Sequence, residues 1–309
     1  MVKILVTDQV YESGLKLLRE NGFDVDVLLG IDESSLAKII GNYDGLIVRG
    51  RTKVTKKVLE NSGKLRIIVR AGVGLDNIDL NTAKERGISV FNTPAAPSVA
   101  AAELTIGLII CILRGIGKGY YDLRNGKWSK SELMGHEVRG KVVSIIGFGR
   151  IGYEVAKRLK AFDAKVVVYD VDRSRETFAK SLGVDFANSL EEALSVGDIV
   201  TLHVPLLPET RHLINANTIK IMKRGAYLIN AARGEVVDEK ALLEALKNGQ
   251  LSGAALDVFS VEPPKEPVEL ELLSLPNIIA TPHIGAQTIE TQEAESVEAA
   301  RIIINFFKK

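Results

Sequence analysis

The 309-residue chain reads as an α/β protein built from two doubly wound parallel-sheet domains. Strand-length apolar runs alternate with amphipathic stretches almost throughout, the pattern of a parallel sheet covered by helices on both faces. The series occurs twice, broken near Thr93 by Pro94, Pro97 and a long apolar stretch. At roughly 150 residues per domain, the length accommodates about two such units.

The first series offers KILVTD, DVDVLL, GLIVRG, LRIIVRA and ISVFNTP as strands, with SGLKLLRE and SSLAKIIGN among the helices between them. Ser98 is placed to cap the next helix. That helix, VAAAELTIGLIICILRGI, is apolar nearly all round, so it must be buried between domains or between subunits. A second series begins at Gly140: KVVSIIG, KVVVYD, DIVTLHVP, AYLINAA, GAALDVF and NIIATPH. A helix from about Thr288 to Phe307 closes the chain.

Composition narrows the function. Hydrophobic residues make up 46% and charged residues 26%, enough apolar material for real cores and against disorder. A formal charge of +1 provides no bulk field for nucleic acid or an anionic membrane, and neither is expected as a partner. The single cysteine excludes an internal disulfide and fits a reducing cytosol; within LIICIL it reads as a core residue. MVKILVTD is a strand rather than a signal peptide, and Leu104 to Leu113 is too short to span a bilayer. The expected location is cytoplasmic. With no His/Cys cluster, no metal is expected.

Gly147-Phe148-Gly149-Arg150-Ile151-Gly152 is a GxGxxG pattern. Twenty-seven glycines place some such patterns by chance, so context decides. This one follows KVVSIIG, opens the helix IGYEVAKRLKAF, and is succeeded by a strand ending in Asp170, 23 positions beyond Gly147. That is the Rossmann dinucleotide fingerprint. Gly147 permits the tight turn, Gly149 lets the backbone approach a pyrophosphate, and Gly152 allows close helix–strand packing. The helix N-terminus presents N–H groups to the diphosphate. Asp170 would accept hydrogen bonds from the ribose hydroxyls and repel a 2′-phosphate, which favours NAD over NADP. The pair Gly72-Val73-Gly74 lacks a third glycine and reads equally as a plain turn or as an anion nest for a carboxylate.

Moving a hydride between NAD and C2 of a 2-hydroxy acid needs a base for the hydroxyl proton, a cation for the carboxylate, and a partner to orient the base. Three strand-end motifs supply these residue types: Arg233 in NAARG, Glu262 after ALDVFSV, and His283 in TPHIG. In an open parallel sheet ligands bind at the strand ends, so the fold can gather them. Glu262 is expected to hold the imidazole and favour its protonated form. His136 and His212 read as surface residues, and His203 as a strand-end residue beside the cofactor.

The order of DGLIVRGRTKVT, RAGVGLDNIDL, NTP with AAELT, GKWSKSELMGHEVRGK, GFGRIG, HVPLLPET, INAARGEVVDE, AALDVFSVEPP and TPHIGA resembles the D-2-hydroxyacid dehydrogenase family over essentially the whole chain. Within it, the likeness is to members acting on 3-phosphoglycerate. The resemblance implies that His283 transfers the proton, Glu262 is its carboxylate partner, and Arg233 clamps the substrate carboxylate and carbonyl. It places Val73, Arg150, Ile151, Asp170, His203, Val204, Pro205, Ala231, Ala232, Asp257, Gly285 and Ala286 at the cofactor. Gly72, Val73 and Gly74 fall at the substrate, with Arg49 and Arg70 near its far end, where guanidinium forks suit a phosphate.

The architecture implied is a discontinuous flavodoxin-like substrate domain, 1–94 plus 287–309, around a Rossmann domain of 95–286. Hinges would lie near Thr93–Pro97 and Ile284–Ala286, and the helix after Ser98 would form a homodimer. The expected reaction is oxidation of 3-phosphoglycerate to 3-phosphohydroxypyruvate, on a route to serine. Alternatives are reduction of glyoxylate or hydroxypyruvate, and, in a different class, an NADH-sensing co-regulator with little turnover. Formate dehydrogenases share the fold but pair the His with Gln, so Glu262 argues against them. The chain stops directly after its last helix, which puts serine feedback through a C-terminal regulatory domain in doubt.

Overall fold

The computed structural model describes residues 1–308. The chain divides into two compact units, one of Met1–Pro97 with the residues from Ala286 onward, the other of Ser98–Gly285.

The first unit is a five-stranded parallel sheet: β1 (Lys3–Val6), β2 (Asp24–Val27), β3 (Gly45–Val48), β4 (Ile67–Arg70) and β5 (Ser89–Asn92), in the order β2-β1-β3-β4-β5. This is the flavodoxin-like doubly wound order. Period-two alternation explains how both faces are covered. Ile4 and Val6 face one side, where Leu15 and Leu18 of helix Glu12–Glu20 and Ala299, Ala300 and Ile303 of helix Ile289–Lys308 pack. Leu5 faces the other side, with Leu36 and Ala37 of helix Glu33–Ile39. Each of these fully buried Leu and Ile side chains contributes about 1.5–3 kcal/mol relative to exposure.

The second unit has seven parallel strands: β6 (Val142–Ile146), β7 (Lys165–Tyr169), β8 (Asp185–Phe186), β9 (Ile199–Leu202), β10 (Ala226–Asn230), β11 (Leu251–Leu256) and β12 (Ile278–Ala280). Their order, β12-β11-β10-β9-β6-β7-β8, reverses direction at β6. Strand β8 is not legible as an apolar run: it is two residues long at the sheet edge, pairing Val167↔Asp185 and Val168↔Phe186. The other six coincide with the apolar runs of the sequence.

Helix Ser98–Arg114 seats Ala102, Ile106, Ile109 and Leu113 in the core with Val143, Ile145, Ile229 and Ala255 of the sheet. Ser98 does not cap it. The residue is already helical and its Oγ is buried without a hydrogen-bond partner. Cys111 is only half-buried, so it is not the core residue expected from its apolar neighbours. Gly115, at φ 59°, ends the helix, and a separate helix, Ile116–Arg124, begins. Among the described residues no single helix is long and apolar enough to cross a membrane.

Candidate active site

Register brings the predicted residues together. In the second unit Tyr169, Ile146, Leu202, Asn230, Leu256 and Ala280 are aligned partners across six neighbouring strands. The next residues along the chain are therefore neighbours along the sheet's carboxyl edge: Asp170, Gly147, His203, Ala231, Asp257 and Thr281. Five of the six belong to the cofactor positions expected from sequence. The glycine-rich turn lies after β6, where the strand order reverses, which is where open α/β sheets bind ligands.

The turn has the shape a diphosphate needs. Gly147 sits at φ 94°, and a Cβ there would fall 2.5 Å from the His203 carbonyl oxygen. A Cβ on Gly152 would fall 2.2 Å from the Gly147 carbonyl oxygen, so only glycine lets this helix approach the strand. At Gly149 a Cβ would meet no atom within 4 Å, which leaves the turn open on that side. Helix Arg150–Ala161 starts there with no side-chain cap, so its first N–H groups remain for an anion. Asp170 holds the turn from the neighbouring strand, accepting from the Phe148 N–H at 2.7 Å and the Asp172 N–H at 2.9 Å. Arg150 is exposed and Ile151, Val204 and Ala231 are half-buried; Pro205 is exposed and Ala232 is buried. The residues present therefore fit NAD.

His203 follows β9, with Nε2 3.0 Å from Thr201 Oγ1. Burial pushes its pKa down to about 3, so the ring is neutral at ordinary pH. His136 and His212 are exposed.

His283 Nδ1 lies 2.7 Å from Glu262 Oε2, and both side chains remain accessible. Glu262 Oε1 accepts the Phe259 N–H at 3.2 Å. Burial alone would push the Glu262 carboxyl up. The His283 hydrogen bond and charge, the Phe259 N–H and the charge of Arg233 outweigh it and hold the group below the usual carboxylate value. Arg233 is fixed by its own turn: Asn230 Nδ2 donates to the Arg233 carbonyl at 2.9 Å, and Arg233 Nη1 donates to the Ala232 carbonyl at 2.7 Å. A Cβ on Gly234 would fall 1.9 Å from the Phe259 carbonyl carbon, so a side chain there would drive the Arg233 turn away from the Glu262 loop.

The His283 loop is held by Asp257, which is 1% exposed. Its carboxylate accepts from Thr281 Oγ1 at 2.6 Å, the Ile284 N–H at 2.8 Å and the Gly285 N–H at 2.9 Å. Its carbonyl accepts the His283 N–H at 2.8 Å. The family resemblance puts Asp257 at the cofactor; its grip on the loop has no signature in the sequence. Ala286 is the first residue beyond this unit.

In the first unit, Arg49 and Arg70 follow or end adjacent strands, β3 and β4. The Arg49 N–H donates to Asp8 Oδ2 at 2.6 Å, and its Nη2 lies 3.1 Å from Oε2 of Glu295. Glu295, on the last helix, is 1% exposed and was not foreseen. Burial pushes its carboxyl up, against the lowering by the charges of Arg49 and Arg70. In the turn after β4 the Gly72 N–H donates to Thr93 Oγ1 at 2.7 Å, while Val73 is exposed and Gly74 half-buried.

A glycine-rich dinucleotide turn and an imidazole–carboxylate pair on one sheet edge define a dinucleotide-binding α/β protein equipped for proton transfer. Residues 106–285 match the family model of the D-isomer specific 2-hydroxyacid dehydrogenase, NAD binding domain. The chain is 46% identical over 303 residues to a D-3-phosphoglycerate dehydrogenase of Methanocaldococcus jannaschii, covering 98% of this chain and 57% of that protein's length. It is 46% identical over 268 residues to a hydroxypyruvate reductase of Thermotoga maritima, covering 87% of this chain and 86% of that one. A D-lactate dehydrogenase from Aquifex aeolicus, solved with NAD and lactic acid, superposes with a TM-score of 0.87 at 31% identity, over 99% of this chain and 95% of that chain. The chain belongs to the D-isomer-specific 2-hydroxyacid dehydrogenase family, and its second unit is the family's NAD-binding domain.

Proposed function

We propose that the chain is an NAD-dependent dehydrogenase that oxidises 3-phosphoglycerate to 3-phosphohydroxypyruvate, a cytoplasmic step on a route to serine. The observation that carries the dehydrogenase reading is the 2.7 Å His283–Glu262 contact on the sheet edge that also bears the glycine-rich turn. NAD, when bound, supplies the acceptor for the hydride leaving C2. Gly147, Gly149, Arg150, Ile151, Gly152 and Asp170 hold its diphosphate and ribose. Neutral His283 takes the hydroxyl proton from the substrate, and Glu262 stabilises the imidazolium so formed. Arg233 pairs with the substrate carboxylate and polarises the C2–O bond. Asp257 keeps the His283 loop in place. Arg49 and Arg70 receive the phosphate end.

One observation favours a second substrate. Arg49 is already paired with a buried carboxylate, Glu295, which weakens its claim on a phosphate. The Thermotoga relative matched over most of its own length is named a hydroxypyruvate reductase. A panel of 3-phosphohydroxypyruvate, hydroxypyruvate and glyoxylate with NADH decides between them: the phosphorylated acid is expected to give the highest kcat/KM. In the same assay His283→Ala should lower kcat by orders of magnitude with NADH affinity unchanged. Parent-like turnover in that variant refutes the reading.

The expected homodimer through the helix after Ser98 finds little free apolar surface on that helix beyond Val99; the exposed Ile116, Tyr120, Tyr121, Leu123, Trp128 and Met134 that follow it support a homodimer contact extended past Gly115. Sedimentation of the chain as a monomer at micromolar concentration counts against it.

A further inference from the structure

The loop that carries Glu262 has no regular hydrogen-bonding partner strand, yet it must hold a carboxylate against His283. Residues 261–266 read Val-Glu-Pro-Pro-Lys-Glu. The two prolines have no N–H, which leaves four backbone donors. Three of those four converge on one side chain. The Val261 N–H donates to Glu269 Oε1 at 2.8 Å, and the Lys265 and Glu266 N–H groups donate to Glu269 Oε2 at 2.8 and 3.0 Å. Glu269 stands in the first turn of helix Pro267–Ser274 and is 1% exposed. Its two oxygens thus grip the loop on both sides of Glu262. Next to this grip, Glu239 accepts the Ser260 N–H at 2.8 Å from helix Glu239–Lys247.

We propose that Glu269 is the positioning residue of the Glu262–His283 pair. The inference rests on the catalytic reading given above. Burying a carboxylate is costly and is tolerated where charge-assisted hydrogen bonds compensate it. Here the compensating donors are all in one loop, the one that presents Glu262. The device therefore trades helix-end solvation for a fixed loop. Glutamine at 269 would keep the shape but turn an N–H₂ group on at least one of the loop's N–H donors. The loop would loosen on one side of Glu262, and the imidazole contact would lengthen or become intermittent. Displacements of about 1 Å at reacting groups cost up to about a hundredfold in rate.

The test uses the whole chain with NADH and its best keto acid. Glu269→Gln and Glu269→Asp are compared with the parent and with Glu262→Gln. For Glu269→Gln, kcat is expected to fall about ten- to a hundredfold, with KM and NADH affinity within about twofold. The limb of the pH–rate profile that moves in Glu262→Gln should move in the same direction. Glu269→Asp, which keeps the charge, should recover part of the rate. If Glu262→Gln shifts the profile while folded Glu269→Gln keeps the parent's profile and kcat, or loses only thermal stability, the inference on Glu269 is overturned and the catalytic reading stands. If Glu262→Gln and His283→Ala both turn over like the parent, the catalytic reading itself falls. Should the Glu269 variants not fold, hydrogen exchange on the parent decides. Slow exchange of the Val261, Lys265 and Glu266 amides supports the grip, and exchange as fast as in an open loop overturns it.

Discussion

Replacing Asp257 by Asn isolates the hold on the His283 loop. His283 sits at φ 53°, a left-handed conformation that costs a non-glycine residue on the order of 1–2 kcal/mol. The Asp257 carboxylate opposes that cost through Thr281, Ile284 and Gly285. Hydrogen bonds to a charged acceptor contribute about 1.5–3 kcal/mol each, so three outweigh the strain severalfold. An asparagine oriented with its carbonyl toward Thr281 and Ile284 keeps two bonds, now neutral, and sets an N–H₂ group against the Gly285 N–H. The reverse orientation loses two. The least costly outcome is a net loss of about 2 kcal/mol. For a unit of this size that lowers Tm by about 4–8 °C. It also brings the remaining grip, about 1 kcal/mol per neutral bond, close to the strain it must resist. His283 should then leave its catalytic position part of the time, and kcat should fall about tenfold. Calorimetry and NADH absorbance read the two effects. A variant that melts within about 1 °C of the parent with unchanged kcat would refute the argument.

Three other substitutions probe separate parts. Asp170→Ala removes the charge expected to exclude a 2′-phosphate, so the NADPH-to-NADH ratio of kcat/KM should rise; an unchanged ratio removes Asp170 from that role. Arg49→Ala also takes the ion pair from buried Glu295, a cost that falls on both acids alike, so KM for the phosphorylated acid should rise about tenfold more than KM for glyoxylate, because one charge-assisted phosphate contact is lost in addition; equal effects on both acids would detach Arg49 from the phosphate. His203 contributes to acid stability. Its pKa falls from 6.5 when unfolded to about 3 when folded, so between those values the unfolded chain binds the extra proton. Stability is intact above 6.5 and is lost as pH drops toward 3, by about 2 kcal/mol at about pH 5. His203→Gln should flatten that limb of a Tm-against-pH curve, and a curve as steep as the parent's would exclude His203 as its source.

Much of the architecture was legible because a doubly wound fold writes itself into apolar periodicity. KILVTD and KVVSIIG are buried on both faces, and their neighbours alternate with amphipathic helices. What escaped notice had no such signature. Asp185–Phe186 is too short to form a run. The break at Gly115 lies inside a stretch apolar enough to read as one helix, and only its left-handed φ ends it. The pairing of His283 with Glu262 was readable from strand-end motifs, because parallel register brings successive strand ends to one edge. Glu269, Glu295 and the grip of Asp257 were not. Each works by accepting donors that only the fold brings to it: from a side chain far away in sequence for Glu295, from the next strand-end loop for Asp257, and from an irregular loop with no periodic pattern for Glu269. Pro267 at the first helical position with an acid two residues later was the one local hint of Glu269.

These unforeseen carboxylates share a physical logic. Parallel strands end in irregular loops whose N–H groups find no ladder partner, and functional side chains sit on those loops. Water could satisfy the donors, but water would leave the loop free to move. A buried carboxylate instead ties several donors to one rigid element. Asp8 does so for the Arg49 and Thr52 N–H groups, Asp257 for the His283 loop and Glu269 for the Glu262 loop. Acids are suited to this because both oxygens accept and neither donates, so one residue can hold both sides of a turn. An amide of identical shape cannot, since half of it is a donor. It follows that Asp→Asn and Glu→Gln changes at these three positions should impair function out of proportion to their size, whereas the same change at an exposed acid such as Glu271 should be neutral. Equal tolerance at buried and exposed positions would show that the loops are held by their own packing, with the carboxylates incidental to it.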